Sequence, residues 1–76
     1  MKPKPGDRVI LNGLPPNWLD DLPKSDQLAI ARVLGTEVLL LEYDEDGRAE
    51  LEFTDDTGII HSIFVDPKYI DAAQDR

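Results

Sequence analysis

Hydrophobic positions along this chain switch from a helical period to a period of two at Thr36. In PKSDQLAIARVLG, residues 23–35, Ile30, Val33 and Leu34 recur at helical spacing with Ala31 beside them, while Gln27 and Arg32 are left for solvent. Pro23 suits a first turn, Ser25 is an alternative cap, and Gly35 supplies the stop, so the run predicts a short helix. A helix of this length is marginal alone in water and needs a surface to pack on. From Thr36 the period becomes two. EVLLLEY, RAELEF and IIHSIFV are rich in β-branched and aromatic residues and are separated by DEDG and DDTG. They predict a meander of antiparallel strands joined by tight turns.

Upstream, GDRVILN reads as a turn and then a short strand carrying Val9, Ile10 and Leu11, closed by Asn12-Gly13. In GLPPNWLDDLP the prolines 15, 16 and 23 exclude a central strand. Leu14, Trp18, Leu19 and Leu22 are nonetheless too apolar for a free linker. Asn17 is placed to cap a single helical turn carrying Trp18 and Leu19, and the segment is expected to tuck its apolar side chains against the body of the domain. After the meander, Pro67 in DPKYI breaks the last strand and opens a 3₁₀ turn. The expected organisation is a mobile arm over residues 1–5, one domain over 6–70 and a polar tail over 71–76.

The stretch EYDEDG, residues 42–47, carries carboxylates at Glu42, Asp44, Glu45 and Asp46 and ends on a glycine. Read as an EF-hand with Gly47 at position 6, it puts Phe53 at position 12, where a bidentate glutamate belongs. Its flanks also alternate instead of reading as helices, so the metal reading fails. As a hairpin with a two-residue loop, Leu41 would face Glu52 and Tyr43 would face Glu50, mixing apolar and charged side chains. A three-residue loop, Glu45-Asp46-Gly47, pairs Asp44–Arg48, Tyr43–Ala49, Glu42–Glu50, Leu41–Leu51, Leu40–Glu52 and Leu39–Phe53. One face is then Leu39, Leu41, Tyr43, Ala49, Leu51 and Phe53. The other carries Leu40, Glu42, Asp44, Arg48, Glu50 and Glu52. Gly47 takes the left-handed position of a G1 bulge, and Asp46 serves as a favoured turn residue.

In the second turn, a three-residue Asp56-Thr57-Gly58 loop directs His61, Ile63 and Val65 inward. A four-residue loop would direct Ile60, Ser62 and Phe64 inward instead. The first is the more apolar choice and repeats the glycine pattern. It leaves Phe64 and Ile60 on the acidic face, in need of cover or a partner.

Two short segments, PGDRVIL and IFVDPKYI, resemble SH3-like small β-barrels. The first is similar to the Gly-Asp opening of a barrel strand, the second to a closing strand that runs into a Pro-x-x-Tyr turn. Here that turn is one position shorter, at Pro67-Lys68-Tyr69-Ile70. The aromatic motif that opens an SH3 domain is missing, no tryptophan lies on the central strands, and a helix stands between the first and second strands. The resemblance therefore implies architecture alone. The expected fold is mainly β with one inserted short helix: an SH3-like small barrel containing a three-stranded antiparallel meander.

Size and charge narrow the function. A chain of 76 residues makes one small domain with a narrow stability margin. There is no cysteine, hence no disulfide and no thiolate ligand, and the reducing cytosol is the expected compartment. The opening residues have no apolar core of a signal peptide, and no run reaches the roughly 20 apolar residues that span a bilayer. The net charge of −8 repels phosphate backbones, so nucleic acid is not an expected partner, and without a spanning run neither is a membrane. His61 has no Ser, Cys or second His placed near it by the sequence, and it reads as a half-buried structural residue. Glu42, Glu50 and Glu52 share a sheet face, where acid–base work would need an enclosing cleft. Asp55 and Asp56 are accounted for by turn chemistry. Trp18 is either a plug over one end of the barrel or an exposed anchor for a partner. Catalysis, cofactor and metal are all expected to be absent. The expected function is a small acidic binding or accessory module that makes protein–protein contacts, a basic protein being one candidate partner, with Glu42, Glu50, Glu52, Phe64, Trp18 and Tyr69 as candidate contact residues. The alternative is an acidic inhibitor, antitoxin-like or immunity-like protein that masks a basic partner.

Overall fold

The computed structural model describes residues 2–73. Strand β1 (Arg8–Leu11) leads through the proline loop to helix α1 (Lys24–Val33). The meander β2 (Glu37–Tyr43), β3 (Ala49–Thr54) and β4 (Ile60–Val65) follows, and a 3₁₀ turn (Pro67–Tyr69) passes the chain to β5 (Ile70–Ala72). All pairings are antiparallel, in a five-stranded sheet of order β4-β3-β2-β1-β5. Among the described residues no ladder joins β4 to β5, so the sheet is open and its ends are not zipped into a closed barrel.

β5 extends the fold past the expected boundary at residue 70. Ile70, Asp71 and Ala72 pair with Leu11, Ile10 and Val9, and the Asn12 side chain donates to Asp71 Oδ2 at 2.7 Å. The expected tail over 71–76 is thus strand at its start, while residues 74–76 lie outside the described residues. At the other end, Tyr43 Oη donates to the Pro3 carbonyl at 2.7 Å, and Lys2 Nζ sits 4.1 Å from the Tyr43 ring centre. The described part of the expected arm, residues 2–5, therefore lies against β2.

One face of the sheet carries the core. Val9, Leu11, Val38, Leu40, Ala49, Leu51, Phe53, Ile63, Val65 and Ile70 are buried there, and α1 adds Ala29 and Ile30. Leu14, Trp18, Leu19 and Leu22 of the proline loop pack against the same cluster. Each fully buried aliphatic side chain contributes on the order of 2 kcal/mol, which is how a helix too short to persist alone is held.

The helix keeps Ile30 and Val33 on its inward face as expected but differs at Leu34, at Ala31 and at its cap. It ends at Val33; Leu34 follows with extended backbone and is 38% exposed, and Ala31 is also exposed. The inward residues are Ala29 and Ile30, with Val33 partly buried. Pro23 occupies the cap position without a side-chain bond, and Ser25 is already inside the helix. Gly35 has φ +81° and donates its N–H to the Leu11 carbonyl at 2.7 Å, so the residue that stops the helix also ties it to β1. Gln27 does not stay in water: its side chain donates to the Leu22 carbonyl at 2.9 Å. Asn17 caps no helix; it takes φ +62°, a conformation asparagine tolerates, within a series of turns closed by Trp18, Asp20 and Leu22 N–H donors.

The first hairpin keeps the expected three-residue loop and its nearest pairs, Tyr43–Ala49 and Glu42–Glu50. Gly47 has φ +83° there, and the turn carboxylate that accepts backbone N–H groups is Asp44, from Asp46 and Arg48, instead of Asp46. Beyond Glu42 the expected register fails. Leu40 faces Leu51 and Leu39 faces Glu52, because Leu41 is an extra residue in β2. The expected pairs Leu41–Leu51, Leu40–Glu52 and Leu39–Phe53 do not form. The cause lies in EVLLLEY, which is apolar at both parities. Val38 must meet Val9 in β1, which puts Leu40 inward, while the turn puts Tyr43 inward. A bulge at Leu41 is the one-residue correction that satisfies both. The second hairpin follows the three-residue reading: Phe53 faces His61, Leu51 faces Ile63 and Ala49 faces Val65, with Gly58 at φ +89°.

Candidate functional site

The outward face of the meander is built by the strand periodicity itself. With Ala49, Leu51 and Phe53 inward, β3 presents Glu50 and Glu52 outward; with Ile63 and Val65 inward, β4 presents Ile60, Ser62 and Phe64. Cross-strand pairing lines these up in rows. Glu42, Glu50 and Phe64 form one row across β2, β3 and β4, and Leu39, Glu52 and Ser62 form the next. Phe64 is 39% exposed and Ile60 64%. The Arg48 guanidinium lies 5.4 Å from the Phe64 ring centre and bonds to Asp44 at 2.8 Å, so it forms a basic corner on an otherwise acidic surface. Burial acts to raise the Asp44 pKa, but the Arg48 backbone and side chain and the Asp46 N–H together hold it below the usual carboxylate value.

Of the expected contact residues, Glu42, Glu50, Glu52 and Phe64 are therefore brought together. Trp18 is not. It packs on the core from the opposite side and joins that surface only at the rim, where a hollow of about 350 Å³ lies among Trp18, Leu22, Ile30, Ile63 and Phe64, with Asp26, Arg48, His61 and Ser62 also lining it. Tyr69 sits elsewhere, as the last residue of the 3₁₀ turn that leads into β5 at the other end of the strand order, with its ring against Gly13.

His61 is half-buried, stacked on Phe53 with ring centres 5.3 Å apart. Its Nε2 is 2.8 Å from Asp55 Oδ2, and Nδ1 is 3.8 Å from Asp26 Oδ1 on α1. A second hollow of about 300 Å³ opens above this cluster between α1 and the second hairpin, with Leu28 and Ile59 at its rim, both well exposed. Asp55 is the hub: its Oδ1 accepts from the Thr57 N–H and hydroxyl and from the Ile59 N–H. The His61 bond, then the Thr57 hydroxyl and the Ile59 N–H, hold its carboxyl far below the usual carboxylate range. Both ring nitrogens of His61 face carboxylates, and the nearby Thr57 hydroxyl is spent on Asp55. The arrangement anchors a turn to a strand and offers no activated nucleophile.

Asp56 pairs with Arg32 of α1, so the second turn is clipped to the helix by Arg32–Asp56 and by His61 facing Asp26. Sequence reasoning assigned Asp55 to turn chemistry, which it performs, but missed its bond to His61. The signal was available: the three-residue loop returns His61 alongside Asp55 on the same end of the hairpin. Among the described residues no group of three or more His, Cys, Asp or Glu side chains could hold a metal ion, and no helix is long and apolar enough to cross a membrane. No family model matches the chain, and neither the search of curated proteins nor that of solved structures returns a match.

Proposed function

We propose that this chain is a non-catalytic binding module that docks a basic protein through the outward face of β2, β3 and β4. One observation carries the reading: Glu42, Glu50 and the exposed ring of Phe64 stand in a single cross-strand row, with Glu52 in the next. An exposed aromatic set among carboxylates supplies both halves of a protein contact, apolar area and a charge that selects the partner. The net charge of −8 strengthens the same preference at longer range. The meander, the 3₁₀ turn and the return of the last strand to β1 support placing the sheet with SH3-like small barrels. The cytosol is the compartment in which a basic protein partner would be met.

The test is capture from native lysate on the immobilised chain, with proteins identified by mass spectrometry, comparing the parent with the double variant Glu50→Lys, Glu52→Lys. A basic protein is expected to be retained at low salt, and to be lost both in the variant and at high salt. Circular dichroism should show the variant folded, since both positions face outward. An unchanged set of captured proteins removes this face as the docking surface.

A further inference from the structure

The geometry points to the free edge of β4 as the place where the basic partner adds an extended segment as a sixth strand; this deepens the docking reading and rests on it. The two edges of the sheet differ. β5 is only three residues long and carries Asp71, two devices that blunt an edge. β4 is six residues long, pairs with β3 in unbroken register, and contains no proline, lysine, carboxylate or bulge. An edge of that length without such protection is a template for another strand.

The phase of the ladder says which groups are offered. The Asp55 N–H donates to the Ile59 carbonyl at 2.9 Å, so bonded pairs alternate from there through Phe53–His61, Leu51–Ile63 and Ala49–Val65. The N–H and C=O groups of Ile60, Ser62 and Phe64 then point away from β3, and none of the backbone bonds made elsewhere in the described residues uses them. These are three donor–acceptor sets on one line.

Side chains on an added strand would alternate between two environments. Those on the inner side meet the hollow of about 350 Å³ that runs along His61–Phe64 and is walled by Trp18, Leu22 and Ile30. Its apolar wall takes an aliphatic group, while Asp26 and Arg48 are charged side chains that also line it. Those on the outer side lie next to Ser62 and Phe64. Ser62 is small and stands between the added strand and Glu52, its partner in β3. A lysine or arginine opposite Ser62 reaches over it to Glu52, so the occupant alternates basic and apolar residues. The charge of −8 on every copy of this chain argues against a second copy in that position.

The probe is a blocked peptide of about seven alternating lysine and valine residues, added to the whole chain. It is compared with the same peptide N-methylated on alternate residues in both phases. Binding is read by Trp18 fluorescence and by hydrogen exchange at individual amides. The expected result is slowed exchange at Ile60, Ser62 and Phe64, with affinity at least about tenfold weaker for one N-methylated phase and for Ser62→Pro, which removes an outward N–H that an edge strand can spare. Should Ser62→Pro perturb the circular dichroism, the N-methylated peptides on the parent chain decide. Binding that ignores N-methylation, or no change at these amides at millimolar peptide, overturns strand addition. The docking reading then still stands if lysate capture falls with Glu50→Lys, Glu52→Lys. Protected β4 amides together with capture that ignores those lysines would instead remove the acidic face and keep the edge. Protection that grows with protein concentration in the absence of peptide makes a second copy the occupant and overturns the assignment.

Discussion

The bulge in β2 makes a sharp prediction, because it decides which of two adjacent leucines belongs to the core. Leu40 is fully buried, and its backbone bonds both ways to the segment before β1, to Gly6 N–H at 2.8 Å and Asp7 C=O at 2.9 Å. Leu41, the next residue, is only partly buried. Truncating a buried leucine to alanine costs about 2–5 kcal/mol, and Leu40 lies wholly inside the buried cluster, so about 3 kcal/mol is expected for Leu40→Ala. A domain of 76 residues has a total stability of roughly 4–11 kcal/mol, so this one change removes between a quarter and most of it. Leu41→Ala should cost about 1 kcal/mol or less. The assay is urea unfolding followed by far-ultraviolet circular dichroism. With a slope near 1 kcal/mol per molar, the midpoint should fall by about 3 M for Leu40→Ala and by about 1 M at most for Leu41→Ala, with the slope unchanged. A straight β2 that carried the register of the turn through to Leu39 would bury Leu41 and expose Leu40. A larger loss at Leu41 than at Leu40 would therefore refute the bulge and the composition of the outward face with it.

Two further outcomes follow from the turns. Asp55 and Asp44 titrate lower in the folded chain than their ordinary value of 3.8, so their contribution is present above that value and is lost as pH falls toward their folded pKa values. The urea midpoint should drop steadily below about pH 4, and Asp55→Asn should flatten that drop while lowering the midpoint at neutral pH; an unchanged acid limb would show that Asp55 is not the hub of the turn. Gly47→Ala should cost about 1 kcal/mol through backbone strain at φ +83°, since open space surrounds the added methyl. Differential scanning calorimetry should register this as a Tm lower by about 4–8 °C, and a neutral result would place Gly47 outside the left-handed region.

Local chemistry was legible wherever one pattern had one solution. RAELEF alternates strictly, so Glu50 and Glu52 could face only outward once Leu51 and Phe53 faced in. The loops ending in Gly47 and Gly58 needed a residue free to take positive φ, and their lengths followed from matching apolar faces across the hairpins. The helix was visible too, with Ile30 inward, but Ala29 replaces Leu34 on its buried face, because the chain leaves the helix after Val33 and Gly35 is held by β1.

By itself, then, the sequence determined the meander, its two turns, the short helix and an acidic outward face. Each depends on neighbours a few residues apart, through periodicity and backbone conformation. Tertiary structure alone decided the rest. EVLLLEY is apolar at both parities, so only pairing with β1 on one side and β3 on the other could select Leu40 and place the bulge at Leu41. The approach of Asp26 from α1 to His61, the strand β5 and the unguarded edge of β4 arise from packing between segments distant in sequence. No local pattern records which strand is left without a neighbour; that depends on where every other strand has gone.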